Sequence, residues 1–287
     1  METAPNQTVT LAALHVYPVK SCAGIDASEA LVIETGLEFD RAWMLVDSAG
    51  RFVSQRELPR MALVRSTLRS QDLVLRAPGM LALHLALDAV EAPTRATVWD
   101  DEVAAFDMGA LAAQWFSDFL ATPLRLVRFD PTHKRLSSRD WTGEVAAENA
   151  FSDGFPLLVA STASLAEVNR RLAAAGADAV TMQRFRPNLV LGGVDAHGED
   201  HLDEITFDTA DGAVRLKLVK PCTRCTIPDV DPASGERGHA VGDALAAYRA
   251  NARVGGKITF GMNAVIVEGV DCTLRAGMVG KATYRFD

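Results

Sequence analysis

The stretch Arg41-Ala-Trp-Met-Leu-Val-Asp-Ser-Ala-Gly-Arg-Phe-Val-Ser54 sets the fold class. Arg41–Asp47 is rich in aromatic and branched apolar side chains, Ser48-Ala49-Gly50 is a turn, and Arg51–Ser54 resumes the apolar pattern. That is the signature of a β-hairpin. The same punctuation recurs on both sides. Leu11–Val19 is a short apolar run carrying Pro18, read as an edge strand because proline has no N–H for a central ladder. Leu31–Glu34 reads as a strand, and Leu81–Leu87 alternates moderately. Ala96–Trp99 and Val103–Asp107 suggest a second hairpin around Asp100-Asp101. Short strands with turn signals every ~8–12 residues belong to a barrel or a sandwich.

Helical signals are fewer. Ala110–Leu120 places Leu111, Trp115, Phe116 and Phe119 at helical spacing. Residues 129–140 (FDPTHKRLSSRD) are polar and aperiodic, and read as a domain boundary or exposed connection. Beyond them, Ser164-Leu-Ala-Glu167 is a capping box opening a helix that runs to Ala175 and stops at Gly176. Val241–Ala250 reads as a short helix. Asn188–Leu191, Val214–Val219, Ile258–Val267 and Thr283–Phe286 read as strands. Strands and helices do not alternate regularly, which argues against a doubly wound parallel sheet.

The bulk properties narrow the function. A chain of 287 residues makes one large domain or two modest ones. A net charge of -8, from 37 acids against 29 bases, argues against a nucleic-acid partner. No apolar run approaches the ~18–20 residues of a membrane helix. Residues 1–8 have neither the basic nor the apolar region of a secretory signal, so the expected location is cytoplasmic, with no membrane association. The four cysteines, Cys22, Cys222, Cys225 and Cys272, are too few for a disulfide framework.

Chemistry concentrates in Lys220-Pro-Cys-Thr-Arg-Cys-Thr-Ile-Pro-Asp-Val-Asp231. Three uses compete for the C-x-x-C spacing of Cys222 and Cys225. A structural zinc site needs further ligands, for which Cys22, Cys272, His197 and His201 are the candidates. A thioredoxin-type pair needs a helix starting at the motif, which Pro228 opposes. Two buried space-filling thiols are the third use. Lys217, Lys220 and Arg224 crowd the motif, and cations favour the thiolate, the form that binds a soft metal or attacks as a nucleophile. Asp229 and Asp231 are candidates for orienting groups or proton donors.

Other basic islands accompany the motif. Arg184 and Arg186, in Gln183-Arg-Phe-Arg-Pro-Asn188, precede a strand and suit bidentate capture of phosphate. Lys20 and Ser21, in Tyr17-Pro-Val-Lys-Ser-Cys22, follow a strand at a turn. Arg41 is flanked by aromatics, and its plainer reading is a strand residue whose stem packs on Trp43. Neither a P-loop nor a G-x-G-x-x-G is present, so nothing supports a nucleotide or Rossmann dinucleotide site. A soft-metal thiolate beside several anion-binding bases suits a cofactor with a metal end and a phosphate end.

These pieces resemble the MOSC family of molybdenum-cofactor proteins, in the two-part form related to amidoxime-reducing components and bacterial reductases of N-hydroxylated bases. The resemblance rests on Tyr17-Pro-Val-Lys-Ser-Cys22, Gly36-Leu-Glu-Phe-Asp-Arg-Ala-Trp43, Asp153-Gly-Phe-Pro156, Phe185-Arg-Pro-Asn188, Cys222-Thr-Arg-Cys225 with Asp229-Val-Asp-Pro232, and Phe260-Gly-Met-Asn263, in the family's order. It implies a mainly β protein with some helices (α+β): an N-terminal β-barrel-like domain over residues 1–130, packed on a MOSC-type β-barrel with peripheral helices over 131–287. It implies Cys225 as molybdenum ligand and Lys20, Ser21 and Arg41 as cofactor contacts. Gly154 and Phe155 are implied as backbone contacts, and Arg186, Asn188, Thr223, Arg224 and Asn263 as further ones, while Cys222 is left without a role.

The implied activity is reduction of small N-hydroxylated substrates by a molybdenum cofactor. The alternative is a carrier or sulfur-transfer protein for that cofactor. Only Cys272 follows the motif, so no iron–sulfur cluster is expected in this chain. Electrons are then expected from a separate ferredoxin- or flavin-reductase-like protein.

Overall fold

In a computed structural model, described over residues 6–285, seven strands close into a β-barrel. In chain order they are Asn6–Val16, Leu157–Ser161, Leu189–Gly192, Leu202–Asp208, Ala213–Thr223, Lys257–Glu268 and Val279–Tyr284. Around the barrel the order is 157–161, 189–192, 6–16, 279–284, 202–208, 213–223 and 257–268, and the last pairs back onto the first. Every pair is antiparallel except 157–161 with 189–192. That parallel pair needs a crossover, which the helix Thr162–Ala174 supplies.

Alternation along these strands fills the barrel with Val9, Leu11, Val159, Leu191, Ile205, Phe207, Leu216, Met262 and Ala282. In the first strand the buried set moves from odd positions (Val9, Leu11) to even ones (Leu14, Val16). The register against 189–192 slips between Leu11 and Ala13, and a one-residue bulge turns the later side chains inward.

The strands Trp43–Val46, Arg125–Phe129, Asp101–Asp107 and Ala92–Val98 form a separate four-stranded sheet. Arg65–Leu68, Asp72–Arg76 and Leu83–Ala86 form a three-stranded one. The helix Gly109–Leu120 buries Ala112, Trp115, Phe116 and Phe119 against Trp43, Leu45, Leu73 and Leu75. Phe116 is fully buried there, and its truncation to alanine should cost about 3–5 kcal/mol. No helix among the described residues is long and apolar enough to cross a membrane.

The structure departs from the sequence reading in particular places. The first strand is central, hydrogen-bonded to three neighbours, because it ends at Val16 and Pro18 lies beyond the ladder. The second leg of the 41–54 hairpin is short: Asp47 and Val53 donate to Arg51 and Leu45, and only Val46 and Phe52 form a bridge. Leu111 is 72% exposed, so the helical stripe begins at Ala112. The helix after residue 160 starts at Thr162, capped by Ser161, whose Oγ accepts from the Ser164 amide. The second proposed helix ends at Ala246, since Ala250–Asn251 pairs as a strand. The closing strand ends at Tyr284, and Phe286 lies outside the described residues.

Candidate functional site

Lys20, Ser21, Arg41, Gly154, Phe155, Arg186, Asn188, Thr223, Arg224, Cys225 and Asn263 all line one cleft. It lies at the barrel rim, where the ends of barrel strands meet the loops around Lys20, Arg41 and residues 52–56.

The cysteine segment is shaped by its strand. Ala213–Thr223 runs antiparallel to Lys257–Glu268 with register shifts at 218/220 and 221/223, and Pro221 sits between these irregularities, where a missing N–H is tolerated. The Arg224 amide still bonds Ile258, and the chain then turns into a short 3₁₀ helix, Ile227–Asp229. Cys225 is left exposed at the turn, while Cys222 is half-buried on the strand. No α-helix starts at the motif, so the thioredoxin arrangement is absent. Cys22 and Cys272 are buried elsewhere, and among the described residues no three His, Cys, Asp or Glu converge to hold a metal. Burial pushes the Cys22 thiol up to about 12, against the opposing charge of Arg186.

The guanidinium of Arg224 is fixed at both ends. Nη1 donates to Cys222 Sγ (3.2 Å) and Nη2 to the Phe185 carbonyl (2.9 Å). Arg186 has a left-handed backbone (φ 59°) and donates from Nη1 to the Cys22 carbonyl at 2.6 Å. Burial, then the charge of Arg41, lowers its pKa to about 10, so it stays charged near neutrality. The guanidinium carbons of Arg41 and Arg186 lie 4.4 and 4.3 Å from the centroid of the Tyr17 ring. Arg41 lies outside the strand that follows and does not stack on Trp43. It donates to Asp40, to Asn188 Oδ1 (3.1 Å) and to the Arg186 carbonyl (3.1 Å).

Asn188 is a staple. Its Oδ1 accepts from the Leu158 amide and Arg41, and its Nδ2 donates to the His15 carbonyl, tying three barrel strands together. Asn263 donates to the Lys220 carbonyl across a neighbouring strand pair.

The loop 149–155 forms another wall. Buried Lys20 donates to the Phe151 carbonyl (2.8 Å) and to Asp153 (2.5 Å). Burial raises the Asp153 pKa, but the charge and hydrogen bond of Lys20, with Trp99 and Arg56, hold the carboxyl well below its usual range. Arg135 donates to the carbonyls of Ala150 and Ser152 and to Asp101, and Asn149 to Gly154. Arg135 is 6% exposed, so the 129–140 segment is not simply an exposed connection. A Cβ on Gly154 would meet nothing within 4 Å, which leaves that backbone open to the cleft.

Asp229 and Asp231 do not line the cleft. Asp229 accepts from the Gly242 amide, and Asp231 accepts from Ala233, Ser234 and Arg184, so both serve local structure. Arg184 is thereby drawn away from the cleft its neighbour Arg186 lines. Phe52, Ser54, Arg56 and Asp153 do line it, and the sequence reading did not single them out.

Two arginines that line this cleft each carry a buried N–H group, Nη2 of Arg186 and Nε of Arg224, with no partner among the described residues. Beside an exposed thiol, such donors suit a ligand with oxyanion groups and a soft metal.

The MOSC N-terminal beta barrel domain matches residues 8–123 and the MOSC domain residues 146–279. The chain is 36% identical to mitochondrial amidoxime-reducing component 1 of Mus musculus over 238 residues, 80% of this chain and 68% of that protein. It is 35% identical to human mitochondrial amidoxime reducing component 2 over 254 residues, 85% of this chain and 73% of that protein. Human molybdenum cofactor sulfurase is 28% identical over 87% of this chain, which matches 29% of that protein's length.

Proposed function

Because the chain belongs to the MOSC family that includes the amidoxime-reducing components, we propose that it is a molybdenum-cofactor reductase of N-hydroxylated compounds. The observation that carries the reading is one cleft lined by the exposed Cys225 and by Arg186 and Arg224, each with an unpartnered guanidinium N–H group. Cys225 would bind the metal as thiolate. Lys20, Ser21, Arg41, Gly154, Phe155, Arg186, Thr223, Arg224 and Asn263 would contact the rest of the cofactor. Asn188 acts by fixing Arg41. The bound cofactor would supply two-electron chemistry at the metal.

The chain's own residues preorganise that site. Arg186 and Arg224 are tied to backbone carbonyls, so both guanidinium groups are held in place before a ligand arrives. The Lys20 ammonium is held by the Phe151 carbonyl and Asp153 before any ligand binds. Phe52 and Phe155 give the cleft apolar wall surface. Reducing an N–OH group consumes two electrons and two protons and releases water. The electrons would come from a separate ferredoxin- or flavin-reductase-like protein.

Elemental analysis of protein made in a molybdenum-replete host tests the reading. Molybdenum should accompany the wild-type chain and be lost in Cys225→Ala, while both fold alike. Equal metal content in the two proteins refutes the ligand assignment. The likeness to the sulfurase favours one second reading, a carrier of the cofactor or of sulfur. A reductase turns over many equivalents of substrate with an electron donor, whereas a carrier transfers its cargo stoichiometrically.

A further inference from the structure

Lys20, Arg41, Arg186 and Arg224 all commit donors to neighbouring carbonyls, carboxylates or Cys222. Arg56 also lines the cleft, and its guanidinium makes no hydrogen bond among the described residues. Its one ion pair is with Glu57 at 3.6 Å, a loose pair whose carboxylate side chain is 56% exposed, and the charge of Asp153 acts on it without a hydrogen bond. The guanidinium is instead stacked, its carbon 4.6 Å from the Trp99 ring centroid and 5.5 Å from that of Phe52. A guanidinium held over aromatic rings keeps N–H groups for a carboxylate.

The platform is held in place. Trp99 is the first residue of the two-residue loop joining Ala92–Val98 to Asp101–Asp107. Its φ of 56° is a conformation that suits glycine far better than a bulky side chain. A strained aromatic, 48% exposed, points to a role beyond the turn. Its indole N–H donates to Asp153 Oδ1 (3.2 Å), and its ring meets Phe52 edge-on at 5.0 Å. Asp153 is the carboxylate lining this end of the cleft, and Lys20 at 2.5 Å compensates its charge. With Asp153 hydrogen-bonded to Lys20 and Trp99, and Glu57 only loosely paired, the Arg56 guanidinium keeps N–H groups that no hydrogen bond among the described residues uses.

The geometry points to Arg56 as a substrate-recognition residue that takes a carboxylate on the substrate, with the substrate's flat body against Phe52 and the Arg56 guanidinium held from behind by Trp99. The favoured class is N-hydroxylated compounds that carry an acid group, and this rests on the reductase reading. The same N–H groups also suit the cofactor's phosphate, so the test separates the two sources.

Cofactor-loaded wild-type and Arg56→Gln proteins are compared by calorimetry with two unreactive probes, 4-amidinobenzoate and benzamidine. Molybdenum content is measured on the same samples. Wild type should bind 4-amidinobenzoate more tightly than benzamidine, which carries the same amidinium and lacks the carboxylate. Arg56→Gln should weaken that binding about tenfold or more while molybdenum content is kept, and Arg56→Lys should recover only part of it. The ratio of kcat/KM for 4-carboxybenzamidoxime over benzamidoxime should fall by a similar factor in Arg56→Gln. Equal binding of the two probes by wild type, or unchanged binding in Arg56→Gln, overturns the assignment. Loss of molybdenum in Arg56→Gln also overturns it, by giving Arg56 to the cofactor's phosphate. If wild type reduces neither amidoxime, the reductase reading fails, and the calorimetry still decides what Arg56 binds.

Discussion

Nη1 of Arg224 lies 3.2 Å from Sγ of Cys222, so the first cysteine of the pair positions the arginine beside the second. This gives Cys222 a use that its spacing from Cys225 does not reveal. Replacing it with alanine leaves Arg224 tied only to the Phe185 carbonyl. A hydrogen bond of this kind contributes about 1 kcal/mol, so Cys222→Ala should speed molybdenum loss during dialysis roughly fivefold, far short of the complete loss expected for Cys225→Ala. Cys222→Ser keeps an acceptor and should restore much of the retention. Equal loss in Cys222→Ala and Cys225→Ala would mean that both sulfurs bind the metal.

Arg135 reaches the cleft at one remove. Its guanidinium bonds the carbonyls of Ala150 and Ser152 at 3.1 and 2.6 Å and pairs with Asp101 at 2.7 Å. Arg135→Gln would strip a buried charge from its acceptors and should cost about 3 kcal/mol of unfolding free energy. Urea titration measures this. The 149–155 loop should then become the first segment to exchange its amides in deuterium, before the barrel strands. Protection of that loop unchanged from wild type would show that Lys20 and Asn149 suffice to hold it.

How much was legible depended on whether a residue acts through local pattern or through a distant partner. The hairpin read around Asp100-Asp101 and the helix read over Ala110–Leu120 have their signals within a dozen residues, and the structure has both, with the turn one residue earlier at Trp99-Asp100 and the helix beginning at Gly109. The first strand was misplaced at an edge because its proline was counted as part of the strand. The strands Arg65–Leu68, Asp72–Arg76 and Leu202–Asp208 went unread because charged and polar residues interrupt their short apolar runs. The cleft residues came from motif order. Arg56 and Arg135 carried no motif, and each acquires its meaning from Trp99, Phe52 or residues 150–152, which only the fold brings near.

Two glycines separate structural need from ligand access. A Cβ on Gly261 (φ 76°) would stand 2.6 Å from the Val159 carbonyl, so Gly261→Ala should lose about 2 kcal/mol or more of stability. A Cβ on Gly154 would meet nothing within 4 Å. Gly154→Val should therefore melt within a few degrees of wild type yet retain less molybdenum, because the new side chain projects into the space a cofactor would fill. Calorimetric melting paired with metal analysis checks both. Full molybdenum retention in Gly154→Val would place the cofactor away from that loop.

Acid stability should depend on a cluster outside the cleft. Burial, then the charge of Arg249, lowers the His197 pKa from 6.5 to about 4, with Arg171 acting in the same sense and Glu167 opposing. The fold thus holds His197 neutral where the unfolded chain would protonate it. Its contribution is full above pH 6.5 and is lost as pH falls from about 6.5 towards 4, by up to about 3 kcal/mol. Glu199 has the opposite sign. It is fully buried, with Ser164 Oγ 2.7 and 2.8 Å from its two oxygens, and burial raises its pKa above 4.5 despite the hydroxyl. Its contribution is full below pH 4.5 and is lost as pH rises above that value. Urea unfolding from pH 4 to 8 should show His197→Gln losing less stability than wild type on acidification from pH 6.5, and Glu199→Gln losing less than wild type on the rise above pH 4.5. Parallel curves for all three proteins would show that neither group sets the pH response.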